Sequence, residues 1–207
     1  MEINITGSYP VPAQTNTSSD VWNFFQALPT AYRRFLSIHN GGFIPEFKYT
    51  FLTGVPFKTD KVDNPSRDDC PVEFFGIPTT TEGGNWPADL LKMAAAHKAE
   101  QFLPRNIIAI TRCVQGSLVC ISLSENDFGQ IYYWDWYWQY PWCKPFFEQR
   151  LDEVRRRYPN AEEIVNTPNH PDLQHMMDDF NYATIVKLAD SFDRWISSCT
   201  DKSSDLA

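Results

Sequence analysis

Four histidines and five cysteines are the residues of this 207-residue chain best suited to carry chemistry. Two of the histidines share a segment with carboxylates, His170-x-Asp172-x-x-His175-x-x-Asp178-Asp179. Such a donor set could hold zinc or a harder cation. The spacing matches no ligand pattern, and Pro171 interrupts any helix that would gather the donors on one face. A solvated acidic loop is the plainer reading. Cys113 and Cys120 fall on neighbouring strand candidates, and His97 lies on the helix candidate before them. A thiol beside an imidazole is a nucleophile with its base, but cysteines inside strands are ordinarily small core residues. Gly41-Gly42 and Gly83-Gly84 lack the lysine and the strand-to-helix setting of a phosphate loop. No catalytic residue, metal or cofactor is expected.

Binding chemistry is better represented. Tyr132-Tyr133-Trp134-Asp135-Trp136-Tyr137-Trp138-Gln139-Tyr140-Pro141-Trp142 is the most unusual composition in the chain. On a strand, Trp134, Trp136 and Trp138 share one face, and Tyr133, Asp135 and Tyr137 the other. One face must meet the core. The other is covered by the segment that follows it, or forms a protein interface with large rings as anchors, or stacks on sugars. Carboxylates cluster too: Asp60, Asp63, Asp68, Asp69 and Glu73 read as an acidic loop before the second strand candidate, and Glu125, Asp127 and Asp135 lie near the meander ends. Charge runs are usually solvated faces, yet an acidic face also speeds encounter with a basic partner. The expected partner-binding set is Asp60, Asp63, Asp68, Asp69, Glu125, Asp127, Asp135, Trp136 and Trp138.

The elements that must position these residues follow from pattern and punctuation. Residues 1–17 mix Pro, Ser, Thr and Asn without periodicity and read as a loose arm. Ser18, Ser19 and Asp20 can cap a short helix. Leu28-Pro29-Thr30-Ala31-Tyr32-Arg33-Arg34-Phe35-Leu36 is a second, with Pro29 suited to its start. Asn40-Gly41-Gly42 stops it, because these residues tolerate positive φ. Residues 43–51 and 72–77 read as strands, with a loop over 54–71 between them. Residues 86–102 form a helix that Leu103-Pro104 breaks. Residues 107–113, 118–123 and 130–138 form an antiparallel meander, its middle strand apolar on both faces. A helix over 146–158 follows. The last helix covers 182–199, with Ile185, Ala189, Phe192, Ile196 and Cys199 at helical spacing. Adjacent strands with helices before and after indicate an α+β domain with a central antiparallel sheet and packed helices. The expected division is an arm over 1–17, one domain over 18–200 with a helical insertion over 139–181, and a flexible tail over 201–207.

Bulk properties narrow the function. A chain of this length buries roughly 70% of its unfolded surface without staples, and an aromatic fraction of 15% suits a well-packed globule. The net charge of −8 argues against a nucleic-acid binder, which needs a basic footprint, and suits a basic partner. The odd, scattered cysteines read as buried thiols in a reducing compartment. No run approaches the ~20 apolar residues of a membrane helix, and the N-terminus lacks a signal-peptide pattern. A cytoplasmic protein, monomeric or weakly dimeric, is expected.

The LP-x-x-Y-x-x-F-L helix closed by Asn40-Gly41-Gly42 resembles the opening of the SUKH superfamily, which holds yeast cell-wall regulators and bacterial toxin-immunity proteins. Phe74-Phe75-Gly76-Ile77 resembles the family's second strand, and Leu103-Pro104 with Ile107-Ile108-Ala109-Ile110 its entry into the meander. Residues 116–123 and 129–135 are similar to its G-x-x-x-C-I-S-L and G-x-I-Y-x-W-D strands. Ala189-Asp190-Ser191-Phe192 with Trp195-Ile196 resembles the end of its last helix. Trp136 stands where the family often carries His, and the 139–181 connection is longer than usual. The resemblance implies a SUKH-like fold and a non-enzymatic role. It points to an immunity protein that occludes the active site of a cognate secreted toxin, such as a basic nuclease domain. The alternatives are a regulatory interaction scaffold of the cell-wall type and, third, an enzyme acting on a glycan or nucleotide.

Overall fold

The computed structural model describes residues 4–45, 48–58, 63–64, 66–79 and 87–201. The chain runs α1 (Ser19–Ala27), α2 (Thr30–Leu36), β1 (Gly42–Phe43), β2 (Tyr49–Leu52), β3 (Phe57–Lys58), β4 (Asp63–Asn64), β5 (Asp68–Asp69) and β6 (Pro71–Phe74). It continues with α3 (Leu90–Glu100), β7 (Ile107–Cys113), β8 (Leu118–Ser122), β9 (Ile131–Trp134), α4 (Lys144–Arg157), α5 (Ala161–Asn166), α6 (Leu173–Ala183), β10 (Ile185–Ala189), α7 (Phe192–Ser198) and β11 (Thr200–Asp201). The main sheet is antiparallel in the order β1-β6-β7-β8-β9-β10, a second has the order β11-β2-β5, and β3 pairs with β4. This is the expected α+β architecture.

The central strands are buried on both faces. Ala109, Ile110, Val119, Cys120, Ile121, Ile131 and Tyr133 are all sealed from solvent, so alternation gives way to a continuous apolar run. Helix α2 lays Tyr32 and Phe35 on the sheet. Phe35 packs 4.7 Å from Phe74 and 5.0 Å from Phe192, and the Tyr32 hydroxyl donates to the Phe75 carbonyl. Trp195 of α7 closes the layer against Phe51 and Phe74.

Asn40 does more than stop α2. Its buried side-chain amide donates to the carbonyls of Pro10 and Ile77, and its Oδ1 accepts from the Ile77 N–H, each at 2.7 Å. Gly41, at φ +73°, passes so close to Gly76 that a Cβ would lie 2.6 Å from the Gly76 Cα. The Asn-Gly pair therefore clamps the end of α2 onto the chain leaving β6.

Several expectations are corrected. Residues 43–51 do not form one strand: β1 and β2 join different sheets, with Pro45 between them. The span 54–71 is not simply a loop, since β3, β4 and β5 lie in it. The third meander strand ends at Trp134, four residues early. The single helix over 182–199 is in fact strand β10 followed by helix α7. Its 4-3-4-3 apolar spacing is genuine, but Ile185 and Val186 are β-branched and pair in register with Trp134 and Tyr133. Ser191 then caps α7 by accepting from the Arg194 N–H. The N-terminal stretch expected as a loose arm is tied down where it is described: Thr6 pairs with Phe43, Tyr9 with Asn40, and the Ser8 hydroxyl donates to the Gly41 carbonyl.

Candidate interaction surface

The aromatic segment turns away from the sheet at Asp135, and that residue explains the turn. Its Oδ1 accepts from the Tyr137 N–H at 2.9 Å, and its carbonyl accepts from the Trp138 N–H at 3.1 Å. This is an Asx-type turn, which takes the chain out of extended geometry. The Asp135 side chain is fully buried and forms an ion pair with Arg67, which is 19% exposed. Asp135 is therefore a positioning residue, and its expected place on an exposed binding face is corrected.

Around this pair lies a polar chain. Arg67 Nη2 donates to the Tyr133 hydroxyl, and that hydroxyl donates to Asp69 Oδ2 at 2.6 Å. Asp69 Oδ1 accepts from the Cys70 N–H. Burial opposes charge on Arg67, but the oxygens of Tyr133 and Asp135 beside it hold the guanidinium more firmly protonated. Burial pushes Asp69 up to about 6, against the hydrogen bonds from Tyr133 and Cys70. Burial and the two carboxylates keep Tyr133 protonated, so it remains a donor. The Cys143 thiol donates to Asp135 at 3.5 Å, and burial pushes it up to about 12. It is a buried thiol and not an activated nucleophile.

This chain fixes a surface at one end of the main sheet. The 114–117 turn, the start of β6 and the end of β9 meet there, because Cys113 pairs with Pro71 and Leu118 with Trp134. A cleft of about 330 Å³ runs between Arg67, Asp68 and Asp69 on one side and Val114, Gln115 and Ser117 on the other. Trp136 borders it. Its backbone N–H donates to the Ser117 hydroxyl, its ring lies over Gly116, and it packs edge-on against Trp134 at 5.8 Å. Trp136 is nevertheless 56% exposed. Tyr137, Tyr140 and Trp142 continue the aromatic surface, with ring centroids 5.0 Å apart from Tyr137 to Tyr140 and from Tyr140 to Trp142.

The expected site residues divide. Asp68 is exposed and, with Asp69 and Trp136, belongs to this sheet end. Trp138 is half-buried against Phe147 of α4, so the insertion covers it. Glu125 and Asp127 lie in the 123–130 turn, at the opposite end of strands that span roughly 16 Å. Asp127 accepts there from Ser122, from the Tyr132 hydroxyl at 2.6 Å and from the Tyr182 hydroxyl at 3.3 Å. The acidic set does not form one face. Asp63 is exposed on β4, and Asp60 lies outside the described residues. Glu73, read as part of an acidic loop, is a buried residue of β6. It pairs with Arg112 and accepts from the Ala88 N–H at 2.7 Å.

The His170–Asp179 segment forms α6 and its approach. His170 Nδ1 accepts from the Asp172 N–H, and Asp178 and Asp179 pair with Arg105 and Arg157. Among the described residues no group of three or more His, Cys, Asp or Glu side chains is placed to hold a metal ion. Arg67 and Tyr133 were absent from the expected site. Arg67 sits in a Pro- and charge-bearing stretch with no periodicity, and only the tertiary fold brings it to Asp135. No helix among the described residues is long and apolar enough to cross a membrane.

An antiparallel α+β domain with a turn-borne aromatic surface beside a carboxylate-rimmed cleft has the features of a protein-interaction module. The chain belongs to the SMI1 / KNR4 family (SUKH-1), whose model it matches over residues 22–167. That family includes toxin-immunity proteins and cell-wall regulators. No curated protein and no solved structure matches the chain.

Proposed function

We propose that this protein is a non-enzymatic immunity protein that neutralises a cognate secreted toxin by covering its active site. The observation that carries the reading is Trp136, a large ring more than half exposed yet fixed by Ser117, Trp134 and the buried Asp135–Arg67 pair beneath its turn. A rigid, exposed tryptophan loses little entropy on binding and is a common interface anchor. Asp68 on the neighbouring cleft, in a chain of net charge −8, supplies a field suited to a basic partner such as a nuclease domain. Covering the toxin's catalytic cleft needs no chemistry from the inhibitor, only contact area and charge complementarity.

The purified chain used as bait in lysate of its native organism, with mass spectrometry of what stays bound, tests this. One secreted protein with a toxic C-terminal domain is the expected catch, and co-expression must then rescue growth. Capture of signalling proteins in its place would favour a regulatory scaffold.

A further inference from the structure

A second concavity lies at the other end of the sheet, between α3, the 101–105 connection, the start of β7 and α6. Its volume is about 370 Å³, within the range of roughly 300–1,000 Å³ for small-molecule sites. Ala94, Leu103, Ile108 and Met177 give it apolar walls. Its wall helix is pinned: Asn181 of α6 donates to the carbonyls of Gln101 and Leu103, in the connection that follows α3.

Its polar groups have a consistent sense. His97 is 8% exposed, and its Nδ1 is buried with no hydrogen-bond partner. That leaves Nε2 as the nitrogen open to the cavity. Burial lowers the basicity of the ring, against an opposing contribution from Glu100, so it is neutral. A buried N–H without an acceptor is the costlier orphan, which puts the single proton on Nε2 as a donor to whatever occupies the space. Lys98 lines the same cavity, is exposed, and makes no ion pair among the described residues. The other lining charges, Arg105 and Asp178, already satisfy each other: the Arg105 N–H donates to Asp178 Oδ1 at 2.9 Å and its guanidinium lies 3.5 Å from Oδ2. The uncommitted groups are thus one cation and one neutral donor over an apolar floor.

We infer that this cavity binds a small organic anion with an apolar body, its carboxylate meeting Lys98 and the His97 imidazole and its hydrocarbon lying on Ala94, Leu103, Ile108 and Met177. The cavity shares no lining residue with the cleft beside Trp136, so the two readings are tested separately.

Octanoate is the probe, followed by NMR of the histidine side chains in the full chain. Saturable perturbation of the His97 ring is expected. Octylamine, of equal length and opposite charge, should leave it unmoved. Lys98→Glu, at an exposed helix position, should weaken octanoate by about two- to fivefold, and Ala94→Trp should abolish binding by filling the cavity. No saturable shift at His97, equal response to octylamine, or unchanged affinity in Lys98→Glu would each overturn the inference. The Lys98 variant keeps the test decisive even where Ala94→Trp perturbs folding.

Discussion

Asp135 is fully buried and carries a charge, an arrangement that is costly unless every oxygen finds a partner. Arg67, the Tyr137 N–H and the Cys143 thiol supply those partners. Removing one member leaves the other uncompensated, so Asp135→Ala should destabilise the fold by about 3–5 kcal/mol in urea unfolding. It should also loosen Trp136, seen as a shift in tryptophan emission. A loss under about 1 kcal/mol would show that the pair is not what holds the turn. Asp69 offers a second test at this scale. Its native pKa, about 6, exceeds the unfolded value near ~3.9, so the native state holds the extra proton between those limits. Its contribution is therefore complete at low pH and is lost as pH rises from about 4 through 6, by up to about 3 kcal/mol. Asp69→Asn keeps an acceptor for the Tyr133 hydroxyl without the titration. The difference in urea midpoint between variant and wild type should widen in the variant's favour from pH 4 to pH 7. A constant difference would contradict the assignment.

Among the elements, the Asn40-Gly41-Gly42 stop fixes α2 against the main sheet. Gly41→Ala combines a left-handed φ with a clash on Gly76, and should cost about 3 kcal/mol or more in thermal unfolding. Gly116→Ala, also at positive φ but with nothing nearer than 3.9 Å, should cost only about 1 kcal/mol. Equal costs would mean that the close approach is unimportant. This stop was legible in the sequence, as were α2, α3, α4, β7 and β8, because each carries its own periodicity or punctuation. Residues 182–199 misled: their apolar spacing fits a helix, and only pairing with β9 makes 185–189 a strand, a case of tertiary context overriding period. The aromatic run misled similarly. Strand alternation was extended past Trp134, whereas the Asp135 side chain captures the Tyr137 N–H and ends the strand. Of the candidate site, Asp68 and Trp136 from the expected set share one sheet end. What could not be read was which carboxylates are internal, since the partners of Asp135, Asp69 and Glu73 come from distant segments.

At the scale of the whole molecule, the features described lie at the two ends of the main sheet. One carries the Trp136 surface, and the other carries the Asp127 turn and the His97 cavity. The net charge of −8 acts over a Debye length of about 8–10 Å, so steering of a basic partner depends on salt. Asp68→Lys should slow association more at low ionic strength than at high, while dissociation changes little. Equal slowing at both would show that Asp68 acts through local packing. We propose that this chain neutralises a toxin through the Trp136 surface, and growth rescue by co-expression is the decisive measurement. The wild-type chain should restore growth of cells making the captured toxin domain, and Trp136→Ala, folded by circular dichroism, should not. Full rescue by Trp136→Ala, or no rescue by the wild type, would contradict it.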